Sequence, residues 1–150
     1  MLVDFLLACA HHIAIFLLAG ALAAEFVLLR GEGGVGTVPK LSRADMIYGA
    51  SAGAVILIGI GRVLFGLKGW EFYIYNWAFW AKMAAFVVVG ALSGYPTARI
   101  ASWRRQAAVT PGAAPPPDEF ARVRRLVIAQ CLVFLLIPIF AAAMARGIGY

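Results

Sequence analysis

The fold is decided by residues 4–29, which read DFLLACAHHIAIFLLAGALAAEFVLL. A helix rises 1.5 Å per residue and the hydrocarbon core of a bilayer is about 30 Å thick, so roughly 20 apolar residues cross it. The stretch exceeds that length. It is also too long for the apolar part of a signal peptide, and no Lys or Arg precedes it. We therefore interpret it as a retained transmembrane helix.

Three further apolar stretches follow along the chain, at about 46–66, 78–101 and 121–145. Each is long enough to cross a bilayer, and none shows the short alternating pattern of a membrane β-barrel strand. Hydrophobic residues make up 63% of the chain and charged residues 13%, whereas soluble domains average about half and about a quarter. The sequence predicts an all-α fold, an integral membrane four-helix bundle in which residues 1–150 form a single transmembrane domain.

The basic residues predict how the bundle is oriented. Nine of them flank the first and third connections, against two on the opposite side, Lys68 and Arg146. Because cytoplasmic flanks are enriched in Lys and Arg, we expect both termini to face the periplasm of a bacterial inner membrane. The net charge of +6 lies at the ends of apolar runs, so the expected partner is the lipid bilayer and not nucleic acid. The nine residues are Arg30, Lys40, Arg43, Arg99, Arg104, Arg105, Arg122, Arg124 and Arg125.

Ionisable residues inside membrane helices are costly and usually functional, so they mark the candidate site. The predicted orientation brings five basic or titratable residues from four helices into the outer half of the bundle. We predict that they form one cofactor-binding site, with His12 or His11 as the metal ligand. The five residues are His11, His12, Arg62, Lys82 and Arg146.

Two faces of helix one carry ionisable residues. One face carries four residues seven positions apart: Asp4, His11, Leu18 and Glu25. The other carries His12 with a stripe of small residues: Ala8, Ala19 and Ala23. Small residues let membrane helices approach closely, so we expect His12 to point into the bundle. Glu25 is interpreted as a partner of Arg30 or Arg43 near the cytoplasmic surface, and Gly49 with Gly53 as a helix-packing notch.

Haem b is the candidate cofactor. The chain has two histidines, and they are adjacent, so two helices cannot each supply one to the same iron. A haem held by one histidine, or completed by Met or water, remains open. Arg62, Lys82 and Arg146 suit its propionates, since arginine pairs with carboxylates through a bidentate fork.

Several motifs together resemble one bacterial family. They are KGWEFY at 68–73, Asn76, FWAK at 79–82, SGYPT at 93–97 and MARGIG at 144–149. Over nearly its whole length the chain is similar to an uncharacterised inner-membrane family, domain of unknown function 2214. That resemblance implies four transmembrane helices and a bacterial source, and it supplies no activity.

A looser similarity connects the chain to haem-binding membrane protoporphyrinogen oxidase-like four-helix bundles. The matching positions are His11 or His12, Arg43, and Trp80 with Lys82. The chain departs from that pattern at Tyr95-Pro96, where the family has Tyr-His. This resemblance implies haem b as a cofactor.

The favoured interpretation is an inner-membrane protein with a polar, haem b-binding redox site in the periplasmic half of the bundle. One alternative is a non-catalytic accessory subunit of a larger membrane complex, or a homo-oligomer. Another is a small proton or ion transporter that uses Asp4, His11 and Glu25 as its path. Whether the protein is an enzyme stays open at this point.

Overall fold

The computed structural model describes residues 1–67 and 69–149, and all regular structure within these ranges is helical. Four segments of the described chain are long and apolar enough to cross a membrane: α1, α2, α4 and the pair α5–α6. The predicted all-α membrane helical bundle is thereby confirmed. The helices are α1 Leu2–Leu29, α2 Thr37–Phe65, α3 Gly69–Ile74, α4 Trp77–Val109, α5 Pro117–Phe134 and α6 Leu136–Ala145.

Helix ends follow from local chemistry. A glycine-rich connection follows α1, and Gly33 adopts a left-handed φ of 59° there. A Cβ at Gly33 would lie 3.1 Å from the Phe120 ring, so this turn packs against α5. At the start of α4 the side chain of Asn76 accepts hydrogen bonds from the backbone N–H groups of Ala78 and Phe79, at 2.9 and 3.3 Å. This is the N-cap arrangement that satisfies free helix donors.

Two helices extend beyond the apolar stretches that the sequence marks. α2 begins at Thr37 instead of about 46, because Val38, Leu41 and Ala44 form a buried face despite their polar neighbours. α4 continues to Val109 instead of about 101. Packing against neighbouring helices therefore sets these ends, whereas hydropathy marks the part that can lie in lipid.

The fourth span is broken at Leu135, between α5 and α6. Proline lacks an N–H, so Pro138 cannot donate to the carbonyl of Phe134, which is the last residue of α5. The break therefore lies within one turn before Pro138. By contrast, Pro96 is accommodated inside the continuous helix α4.

The spans form a ring in which α1 contacts α2 and α5, and α4 contacts α2, α5 and α6. We call the end with Met1, α3 and the chain's last described residues the terminal end. The opposite end, with connections 30–36 and 110–116, is the basic end. Large apolar side chains cover the outside of the ring, among them Phe16, Leu57, Val87 and Leu132, each more than half exposed. Such a surface fits lipid and not water.

Candidate functional site

Three helices bring His11, Arg62 and Lys82 together at the terminal end. The His11 ring lies against α2 at Gly59, where a Cβ would be 3.4 Å from the imidazole Cε1 atom. His11 interacts electrostatically with both Arg62 and Lys82, and these two cations interact with each other. We call these three residues the basic cluster.

The basic cluster is half-buried and short of partners. His11 Nδ1 and Arg62 Nε are both shielded from solvent and have no hydrogen-bond partner. The Lys82 ammonium lies 5.3 Å from the centroid of the Phe79 ring, a cation–π distance. Within the described residues no carboxylate forms an ion pair with any member of the cluster. The arrangement is therefore a cluster of basic groups that has no acidic partner within the described residues.

The nearby carboxylate of Asp4 is used elsewhere. Its Oδ1 atom accepts a hydrogen bond of 3.3 Å from the backbone N–H of Leu67, which follows the end of α2. Asp4 thus ties the first turn of α1 to the connection that leads to α3.

The expectation that His12 points into the bundle is wrong. Its side chain is exposed on the outer surface of α1, and its Nδ1 donates to the carbonyl of Ala8 at 2.6 Å. The buried face of α1 is the other one: Ala14, Leu18, Ala21, Leu22, Glu25 and Leu29. The two faces are about 100° apart, which is the rotation between consecutive residues of a helix. The interior is filled by the face that carries the larger apolar side chains, and not by the alanine stripe.

Arg146 shows no interaction with the basic cluster among the described residues. It is exposed at the end of α6, and its backbone N–H caps that helix by donating to Ala142 and Ala143. No ion pair or side-chain hydrogen bond of Arg146 occurs among the described residues. Lys68, the other basic residue assigned to this end, lies outside the described residues. Of the five predicted site residues the structure groups three, His11, Arg62 and Lys82. The side chain of His12 is exposed although it interacts with His11, and Arg146 is exposed at the end of α6.

The haem hypothesis can be compared with this donor set. The orphaned His11 Nδ1 and the unpaired Arg62 and Lys82 are of the types that bind iron and propionates, respectively. For a non-haem metal the described residues offer no group of three or more His, Cys, Asp or Glu side chains. The basic cluster therefore suits an anion, and among cofactors it suits one that carries carboxylates.

A second polar group lies in the bundle core towards the basic end. Glu25 is 2% exposed and Gln130 is 1% exposed. The Asp45 carboxylate accepts a hydrogen bond of 2.6 Å from the Thr97 hydroxyl, and Glu25 interacts electrostatically with Asp45 and Tyr48. We call Glu25, Asp45, Tyr48 and Gln130 the core polar cluster.

The expectation that Glu25 pairs with Arg30 or Arg43 near the surface is wrong. Glu25 makes no ion pair with a Lys or Arg of the described chain, and its Oε1 atom is buried without a partner. The guanidinium of Arg30 instead lies 5.8 Å from the ring of Phe26. A signal for the buried position was present, since Glu25 shares the seven-residue stripe with His11 and Leu18. Gln130, inside an apolar run, was overlooked.

Tyr95, where the haem-binding bundles have the first residue of Tyr-His, belongs to a separate network at the basic end. Its ring lies between the guanidinium groups of Arg99 and Arg122, at 5.5 and 5.3 Å. Arg99 also forms an ion pair of 3.5 Å with Glu119. Tyr95 thus organises arginines near the connection between α4 and α5.

Comparison with known proteins identifies the family. No curated protein and no solved structure matches the chain. The model of one family, described as Predicted membrane protein (DUF2214), matches residues 3–149 and so spans all six helices. A match over nearly the whole length, on a four-span bundle with this arrangement, means that the chain belongs to the family of predicted membrane proteins DUF2214.

Proposed function

We propose that this membrane protein binds the acidic head of an amphipathic molecule at the basic cluster. The observation that carries the proposal is the pair of buried, unpartnered nitrogen atoms, His11 Nδ1 and Arg62 Nε, beside the ammonium of Lys82. A cation at membrane depth costs about 2.5–3.5 kcal/mol on insertion scales, and less near the interface. A bound carboxylate or phosphate would offset that cost and supply the missing hydrogen-bond acceptors.

The ligand is expected to be amphipathic because of where the cluster lies. It is formed by helices whose outer surfaces are apolar, with Leu6, Ile13 and Ile60 exposed close to His11 or Arg62 in the sequence. A molecule with an acidic head and an apolar body can enter from the bilayer and place only its head on the cations. Haem b and an anionic lipid share this chemistry.

Haem b is the more specific form of the proposal. His11 would hold the iron, while Arg62 and Lys82 would hold the propionates. The haem would supply one-electron redox chemistry at the terminal end. The role of the chain would be to orient the group, to neutralise its carboxylates and to keep it in the membrane.

The proposal includes the orientation. We infer that the terminal end faces the periplasm of a bacterial inner membrane, and the support is the nine-to-two distribution of basic residues.

The proton-path alternative has less support. His11 and Glu25 are about 21 Å apart along α1. The buried side chains between them on α1 are apolar: Ala14, Leu18, Ala21 and Leu22.

The test uses the full chain purified in mild detergent after expression with ample haem precursor. One arm records the visible absorption spectrum and titrates added haem b. The other arm uses native mass spectrometry to weigh retained lipids. We expect Arg62→Gln and Lys82→Gln each to weaken ligand binding about tenfold, because a charge-assisted hydrogen bond contributes about 1.5–3 kcal/mol.

Arg146→Gln is the matched control, since it removes a cation from the same end without touching the cluster. A Soret band that is lost in His11→Ala and kept in His12→Ala supports the haem form. Retained anionic lipid without a Soret band supports a lipid as the ligand and excludes haem b. If Arg146→Gln weakens ligand binding as much as Arg62→Gln does, the site also includes Arg146. If the wild type retains neither haem nor lipid, the proposal is overturned.

A further inference from the structure

The core polar cluster carries an inference that is independent of the basic cluster. Within it, Glu25 Oε1, Gln130 Oε1 and Gln130 Nε2 are all buried and without a hydrogen-bond partner. Buried polar atoms in native proteins are nearly always paired, and the exceptions call for an explanation such as a bound ion or water. Glu25 and Gln130 are such an exception, because they are at most 2% exposed and together have three unpaired atoms.

Glu25 and Gln130 lie at similar depth and both face the core. Gln130 follows Val123 and Val127 on the buried stripe of α5, and these two valines are fully buried. The neighbouring residue Cys131 interacts electrostatically with Glu25, which places this turn of α5 beside that turn of α1. Gln130 is buried and directly precedes Cys131, so its amide lies in the same layer of the bundle as the Glu25 carboxyl group.

The charge and donor types of the cluster indicate the class of ligand. Two carboxyl groups, Glu25 and Asp45, interact with each other, and the described residues place no Lys or Arg in an ion pair with either. The other cluster members provide an amide and a hydroxyl group, and Tyr48 also interacts with the hydroxyl of Ser93. Carboxylate, amide and hydroxyl oxygens are ligands for hard cations. The described residues do not gather the three or more acidic or imidazole ligands typical of a divalent metal.

A groove between α2 and α4 reaches the edge of the cluster. Its volume is about 440 Å³, and the polar residues Tyr48, Ser93 and Thr97 line it. Thr97 is the residue that donates to Asp45. The remaining lining is largely small or apolar, including Gly49, Gly90 and Gly94. The groove thus reaches Tyr48 of the core polar cluster and Thr97, the hydrogen-bond donor to Asp45.

We propose that the core polar cluster binds a monovalent cation, Na⁺ or K⁺, with the carboxylate of Glu25 and the amide oxygen of Gln130 among its ligands. Asp45 lies beside the ion as a second negative charge, held by Thr97. The cation neutralises the buried carboxylate and satisfies the unpaired oxygen atoms. Because the four spans each contribute a residue to this region, binding stabilises the assembled bundle.

The experiment measures thermal unfolding of the full chain in detergent in NaCl, KCl or N-methylglucamine chloride at equal ionic strength. Binding to the folded state alone raises stability by mass action. At a cation concentration roughly 100-fold above Kd we expect a saturable rise in Tm of about 5 °C or more over the organic cation. Comparison of Na⁺ with K⁺ identifies the preferred ion.

Glu25→Gln and Gln130→Leu should abolish this salt-specific rise while each protein still unfolds cooperatively. Their matched controls are Glu32→Gln and Gln106→Leu, which alter exposed residues near the same end and should keep the rise. If Gln130→Leu does not fold, Glu25→Gln decides alone. Identical Tm values of the wild type in all three salts, or a rise that survives in Glu25→Gln, would overturn the proposal. A Tm that responds to pH but not to the metal cation would mean that Glu25 binds a proton instead, which also overturns it.

Discussion

At the scale of single residues, the base Arg62 and the acid Glu25 lie towards opposite ends of the bundle, yet they share one property. Each has a buried side-chain atom without a hydrogen-bond partner. Natural sequences satisfy nearly all buried polar groups, and the exceptions concentrate where function requires them. This is why both residues stand at the centre of a proposed site, whereas exposed charges such as Arg146 do not.

Arg62→Met is expected to stabilise the ligand-free protein. The substitution keeps an unbranched, apolar stem and removes a guanidinium that is partly buried beside Lys82 without an acidic partner. We expect the free energy of unfolding to rise by about 1–3 kcal/mol, the usual cost of an unsatisfied buried polar group. Denaturation in detergent measures it, with Arg146→Met as the exposed control. A loss of stability in Arg62→Met would show that the arginine is paired in the folded protein.

His11 and His12 show how much one residue decides. Composition and spacing singled out both, and the resemblance to haem-binding bundles did not choose between them. A step of one residue turns a helix by about 100°, so only one of the two can face the interior. His11 contacts α2 at Gly59, while His12 bonds to the carbonyl of its own helix at Ala8.

At the scale of the element, α1 is the best-buried span. Its interior face includes Ala14 and Ala21, which are 5% and 7% exposed, whereas Ala23 is exposed on the other face. Along the alanine stripe, Ala8 and Ala19 are half-buried and Ala23 is exposed, so the stripe is not the interior face of α1. Small residues permit the close approach of another helix, but their presence does not show that a helix packs there.

Ala14→Leu and Ala23→Leu make a matched pair that tests this face. The larger side chain introduced at position 14 would enter a packed interior, where overpacking costs about 1–3 kcal/mol, so Tm should fall. The same side chain introduced at position 23 would lie in lipid or detergent, and Tm should stay nearly unchanged. Scanning fluorimetry of both variants beside the wild type gives the comparison. Equal destabilisation by the two changes would mean that both faces of α1 are in contact with other helices.

Helix ends illustrate a further limit at this scale. Hydropathy locates the middle of each span, since it reports which residues tolerate lipid. The polar start of α2 and the polar end of α4 are helical because Val38 and Trp103 are buried by neighbouring helices, each being 2% exposed. A window average over the sequence contains no such information.

At the scale of the whole molecule, the bundle leaves its small-residue notch open. A Cβ added at Gly49 or Gly53 would meet no atom within 4 Å, so no helix of this chain fills the notch expected there. The same is true of Gly90 and Gly94 on the other side of the groove. Association with further subunits or with a second copy thus stays a prediction for this surface.

The orientation predicts that both termini lie in the periplasm. Alkaline phosphatase fused after residue 150 should be active, and a fluorescent protein that matures only in the cytoplasm should remain dark there. Fusions within connection 110–116 should give the opposite pair of signals, because that connection lies at the basic end. Bright fluorescence with silent phosphatase at the C-terminus would reverse the membrane orientation.

The sequence alone determined that the chain is an all-α membrane bundle with four spans, because the length and hydropathy of a span are local properties set by bilayer thickness. It also singled out His11, Arg62 and Lys82, because charge within an apolar run is visible without knowing its neighbours. Only the tertiary structure decided which charges meet. It brought these three together, left His12 and Arg146 exposed, and buried Glu25 near Asp45. The physical reason is that the rotation of each helix about its axis depends on the summed packing of all its faces, which no single stretch of sequence contains.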